Sequence, residues 1–131
     1  MAQNTHSRTK KKVARIVESG RIYVSATFNN TLVTVTDEQG NTIVLSSCGM
    51  HGFTGTRKST PYAGTVTTQA ALTKAIEENR LRKVDIYIKG IGPGREAALR
   101  AIRAANLDVG KIVDKTPIPH NGVRPPKVRR V

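Results

Sequence analysis

Between Lys83 and Ala105 the chain reads KVDIYIKGIGPGREAALRAIRAA, and its hydrophobic period changes from two to 3.6 across a short glycine turn. Val84, Ile86 and Ile88 alternate with Asp85 and Tyr87, the signature of a half-buried strand. Ala98, Ala101, Ile102 and Ala105, with Leu99 beside them, then share one helical face that leaves out Arg100 and Arg103. A strand that feeds directly into a helix must return over its own sheet. The next apolar run, Leu107 to Val113, should therefore pair parallel through a right-handed crossover.

Upstream, the same logic gives three more strands. Ile22, Val24, Ala26 and Phe28 alternate with Tyr23, Ser25 and Thr27 over Arg21 to Phe28, and Asn29-Asn30 supplies a tight turn. Thr31 to Thr36 and Thr42 to Ser47 are rich in β-branched residues and are separated by the turn-forming DEQGN, so the three strands make an antiparallel meander. Cys48 to Thr60 reads as a loop, with Gly49, Gly52 and Gly55 at intervals of three and Arg57-Lys58 near its end. Thr60-Pro61 offers an N-cap followed by a proline in the first helical position, and a helix from Pro61 to about Asn79 follows. Gly64 and the threonines at 65, 67, 68 and 73 are poor helix formers inside it. The expected fold is α/β: a mixed five-stranded sheet, a meander followed by β-α-β-α-β, packed with two main helices.

Charge divides the chain further. The net charge is +13, of which Met1 to Val17 carries five positive charges and Lys115 to Val131 another five, with no acid in either stretch. Residues 1–17 are read as a basic N-terminal arm, 18–116 as the globular domain and 117–131 as a basic tail whose four prolines exclude regular structure. A near-balanced body with two cationic ends is expected to meet a polyanion. No apolar run approaches the ~20 residues of a membrane span, and no apolar signal core opens the chain. The single cysteine, Cys48, allows no internal disulfide framework and fits a reducing compartment.

Catalytic chemistry finds little support. The glycine turn has the spacing GxGxG rather than that of a dinucleotide fingerprint, Asp114 lies at the far end of its strand, and no Gly-Lys-Ser or Gly-Lys-Thr follows. It serves equally as a strand-to-helix turn that needs glycine, or as a phosphate grip in which Arg95 joins the N–H groups of the helix start. Cys48 and His51 are spaced like two metal ligands but lack the others, since His6 and His120 lie in opposite arms, so neither metal nor cofactor is expected. No third group orients a Cys-His or serine nucleophile, and the acids form no cluster for metal-dependent hydrolysis. With only Tyr23, Phe28, Phe53, Tyr62 and Tyr87, nucleic acid should be held by phosphate and groove contacts rather than base stacking. Two alternatives stand beside folded RNA as ligand: a small nucleotide-binding or nuclease enzyme built on the glycine turn, and a general cationic packager of nucleic acid.

Four segments in order, SATFNNTLVTVTD (Ser25 to Asp37), GFTGTRKSTPYA (Gly52 to Ala63), IKGIGPGREAALRAI (Ile88 to Ile102) and TPIPHNGVRPPKVRRV (Thr116 to Val131), resemble the universal small-subunit ribosomal protein eleven family. The resemblance runs from Gly20 onward. It implies a structural rRNA-binding protein without enzymatic activity, on the platform of the small subunit beside the messenger exit channel, touching neighbouring ribosomal proteins and forming no homo-oligomer. Carried over position by position, the rRNA contacts would be Asn29 and Asn30, Arg57 and Lys58, and Lys89, Gly90, Gly92, Gly94 and Arg95. In the tail, His120, Asn121, Arg124, Lys127, Arg129 and Arg130 would lie among rRNA segments. The charge run adds Lys10, Lys11, Lys12 and Arg15 in the N-terminal arm. Thr54 and Val128 stand where the family pattern is basic. The form of the tail resembles bacterial or organellar members, which implies a cytoplasmic or organellar ribosome. Separately, Asn121-Gly122 has no side chain to hinder attack of the following amide, so Asn121 is a candidate for isoaspartate formation.

Overall fold

The structure, a computed structural model, describes residues 16–128. β1 (Ser19–Ala26), β2 (Thr31–Asp37) and β3 (Thr42–Ser47) form the meander, followed by α1 (Pro61–Asn79), β4 (Lys83–Lys89), α2 (Gly94–Ala104) and β5 (Asp108–Asp114). The sheet order is β3-β2-β1-β4-β5. β1 pairs parallel with β4, and β4 with β5, whereas β2 is antiparallel to both of its neighbours. Only β2 therefore runs against the other four strands.

The expected architecture holds, with local differences. β1 covers Ser19 to Ala26 rather than Arg21 to Phe28. The turn claims Thr27, whose backbone N–H and hydroxyl both bond to the Asn30 carbonyl at 2.9 and 3.3 Å, and this lifts Phe28 to an exposed tip. Cys48 to Thr60, read as irregular, contains two short 3-10 turns, Cys48–His51 and Gly55–Ser59. α1 starts as expected, with Thr60 Oγ1 accepting from the Ala63 N–H at 3.2 Å and Pro61 in the first turn. Its unfavourable threonines are recruited into packing: buried Thr68 donates to the Gly64 carbonyl and buried Thr67 to Cys48 Sγ. Tertiary contacts override propensity here.

One face of the sheet holds the core. Ile22, Val24, Val33, Val35, Ile86 and Ile88 are buried against Leu72 and Ala75 of α1 and Ala98 and Ile102 of α2, and Val17 joins them. Complete burial of each large aliphatic side chain stabilises the fold by about 1.5–3 kcal/mol. The alternate residues of the strands lie on the other face, which neither helix covers.

Candidate nucleic-acid interface

Because β1, β3, β4 and β5 run the same way, their C-terminal ends share one edge of the sheet. In sheets of this kind ligands are met at that edge. Four segments leave from it: the β1–β2 turn with Asn29 and Asn30, the stretch containing Arg57 and Lys58, the glycine turn from Lys89 to Arg95, and the chain beyond Asp114. Residues far apart in sequence are thus brought to one rim. The opposite edge carries Glu18, Asp37, Glu38, Glu77, Glu78 and Asp108, six of the nine acids. At the glycine-turn rim only Glu96 and Asp114 oppose Arg57, Lys58, Lys89, Arg95 and Lys115, before the cations of the tail are added. A rim with an excess of one sign concentrates the positive field.

The glycine turn is shaped by contact with the β1–β2 turn. A Cβ on Gly90, whose φ is +93°, would lie 2.1 Å from the Ala26 carbonyl oxygen, one on Gly92 would lie 2.3 Å from that of Thr27, and one on Gly94 would lie 1.9 Å from Thr31 Oγ1. The three glycines therefore let one turn lie directly on the other. The inner side of the turn is filled with protein, which leaves no cradle for a nucleotide on that side. Its outer side and the exposed Ile91 face solvent.

Arg95 is drawn inward rather than left free. Its Nη1 donates to the Gly90 carbonyl at 3.0 Å and its Nη2 to Asp114 Oδ2 at 2.9 Å. Asp114 lies on the same edge as the glycine turn, where a dinucleotide site would place its acid, yet Oδ1 accepts from both the backbone N–H and the hydroxyl of Thr116 at 2.9 and 2.6 Å. The Gly90 N–H donates to that same hydroxyl oxygen, and the Lys115 N–H to the Ile88 carbonyl. This clasp ties the turn to the root of the tail and sets the direction in which the tail departs. The bonds from Thr116, then that from Arg95, lower the Asp114 carboxyl from 3.8 to about 2. A depressed carboxyl stabilises the folded arrangement above its ordinary pKa and loses that contribution as pH falls through the depressed value. Carboxyl carbon NMR should accordingly show Asp114 titrating near pH 2, with the clasp intact from pH 5 upward; Arg95→Ala should move that midpoint up.

The other predicted residues occupy distinct situations. Asn30 is a turn builder, accepting the Thr31 N–H on Oδ1, whereas Asn29 stands exposed. Arg57 and Lys89 are exposed, Lys58 is half-buried, and His120, Asn121, Arg124 and Lys127 are all exposed on a stretch without helix or strand. Lys10, Lys11, Lys12, Arg15, Arg129 and Arg130 lie outside the described residues. Cys48 is buried, and His51 Nε2 lies 2.7 Å from Ser46 Oγ rather than turning toward the cysteine. Ser46 Oγ also lies 3.1 Å from the Thr67 carbonyl, so its hydroxyl links β3 to α1 as well as to His51. Sequence reading did not single out Thr27, Thr31 and Thr116, which receive the glycine turn; Asp-Lys-Thr at 114–116 was the local signal for the last of them.

The model of the family described as Ribosomal protein S11 matches residues 20–130.

Proposed function

This chain belongs to the ribosomal protein S11 family, structural proteins of the small ribosomal subunit that bind rRNA, and from that premise we propose that it sits on the platform near the messenger exit channel. There the glycine-turn rim and both termini hold folded rRNA, while neighbouring ribosomal proteins meet surfaces the RNA leaves free. The observation that carries this reading is the convergence of the Asn29-Asn30 turn, Arg57-Lys58, the glycine turn and the root of the tail on one cationic rim. Arg57, Lys58 and Lys89 contact phosphates, Asn29 reaches backbone or base edges, and Gly90, Gly92 and Gly94, seated on the β1–β2 turn, present the outer backbone of their turn to RNA. Arg95 acts mainly as a positioning residue through Gly90 and Asp114. Residues 1–17 and 117–131 serve as arms that neutralise phosphates beyond the rim, Lys10, Lys11, Lys12, Arg15, Arg129 and Arg130 among them.

Filter binding at a fixed salt concentration tests the reading. Deproteinised small-subunit rRNA should bind at least about tenfold more tightly than duplex DNA of equal length, and calorimetry with free nucleotides should give no heat of binding. Equal affinity for duplex DNA would point to a general packager, and saturable turnover of a nucleotide to an enzyme.

The tail also carries a chemical expectation. Asn121 is exposed with φ at +59° and precedes Gly122, so aged, free protein should accumulate isoaspartate at this position. Peptide mapping that recovers only unmodified Asn121 after prolonged incubation at neutral pH would remove it.

A further inference from the structure

The face of the sheet turned away from both helices carries a surface that the rim does not account for. Across all five strands one register row runs Leu45, Thr34, Tyr23, Tyr87, Val113. Tyr23 and Tyr87 stack at 5.1 Å between centroids with 16° between planes. Lys115 Nζ and Lys111 Nζ stand 5.0 and 5.8 Å from the Tyr87 centroid. β4 lies between β1 and β5, so Tyr23 and the lysines flank Tyr87 from opposite sides. Arg21 Nη1 reaches the Tyr23 hydroxyl at 3.4 Å. The adjoining row, Ser47, Leu32, Ser25, Lys89, ends in a further cation beside the glycine turn.

We propose that this uncovered face docks on the sugar–phosphate backbone of an rRNA stem, extending the RNA footprint from the rim across the Tyr23–Tyr87 pair. The inference rests on the family reading above and goes beyond it by assigning a second surface. Two features select the partner. Asp85 lies between Arg21 and Lys111 in their register row, but Arg21 and the exposed Lys89, Lys111 and Lys115 outnumber it, so the face keeps an excess of positive charge that reaches the rim at Lys89 and Lys115 and complements phosphates, whereas lysine and serine are depleted from protein–protein interfaces. The mode follows from the rings. With both sides of Tyr87 occupied, no base can stack there, so hydroxyls and ammonium groups meet ribose and phosphate as in shape-directed recognition of RNA helices. Leu32 and Leu45, 43% and 56% exposed, lie at the β2–β3 side, away from Lys111 and Lys115.

The test uses the full chain in assembled small subunits, with photoreactive p-benzoylphenylalanine in place of Thr34. Irradiation should cross-link it to rRNA. In parallel, Lys111→Glu/Lys115→Glu should weaken binding to deproteinised small-subunit rRNA at least about tenfold and lower the salt slope by roughly 1.5, about 0.7–0.9 for each lost phosphate contact. Lys74→Glu/Arg103→Glu, an equal charge change on the helical layer, should leave affinity within about threefold. Incorporation into subunits with cross-links to protein, or with none, would overturn the inference while sparing the family reading, as would equal losses from the two double variants. Failure of the chain to enter subunits would overturn both.

Discussion

Deleting residues 117–131 is expected to lower affinity for small-subunit rRNA by about a hundredfold to a thousandfold at physiological salt, and to reduce the slope of log affinity against log salt by about 3. The segment carries Arg124, Lys127, Arg129 and Arg130, and each phosphate neutralised contributes roughly 0.7–0.9 to that slope. The loss should not come from unfolding. Residues 117–128 contain no helix or strand, and the cut leaves Asp114 and Thr116, and therefore the clasp to Gly90 and Arg95, in place. The thermal midpoint of the truncated protein should accordingly stay within a few degrees of the full chain. An unchanged affinity and slope would mean that the tail takes no part in holding RNA.

The second large effect is expected at Gly94, where the first turn of α2 meets both the sheet and α1. A Cβ there would lie 1.9 Å from Thr31 Oγ1 and 3.0 Å from Thr31 Cβ, and Thr31 is 1% exposed in a strand held in register with Ala26. On the other side, the Gly94 Cα already stands 2.9 Å from where a Cβ on Gly64 would be. Gly94→Val therefore has no direction in which to relax. It should destabilise the domain by about 3 kcal/mol, at the upper end of ordinary overpacking, and lower the melting temperature by on the order of 15 °C. Below that temperature the surviving folded protein should still bind RNA more weakly, because the turn can no longer lie on Thr27 and Thr31. Gly49→Ala is the matched control: nothing lies within 4 Å of its Cβ position, and thermal unfolding should move little. A Gly94→Val protein as stable as the parent would show that the packing described here is not rigid.

The sheet was legible because its signals are local. Val84, Ile86 and Ile88 announce their inward face by alternation alone, and Thr60-Pro61 marks the start of α1 through capping chemistry that needs no tertiary partner. Phe28 misled for the same reason: it continues the alternation, but the hydrogen bonds between Thr27 and Asn30 end the strand first. The site was legible as a set of segments and opaque as a geometry. That Gly90, Gly92 and Gly94 serve contact with Ala26, Thr27 and Thr31 depends on the parallel pairing of β1 with β4, which joins residues distant in sequence. Arg95 is read as a phosphate ligand because it opens a helix; that it also pairs with Asp114 shows only once β5 lies beside β4. The scarcity of aromatic residues gave no sign that Tyr23 and Tyr87 would share a register row and stack.

The central claim is that this rim and its arms seat the chain in the small ribosomal subunit. Sedimentation of a cell extract containing the tagged chain tests it most directly. The account predicts that the tagged chain travels with the small subunit, and that removal of residues 117–131 shifts much of it to the top of the gradient at raised salt. A full-length chain found only at the top, at low salt, with intact small subunits below it, would contradict the account.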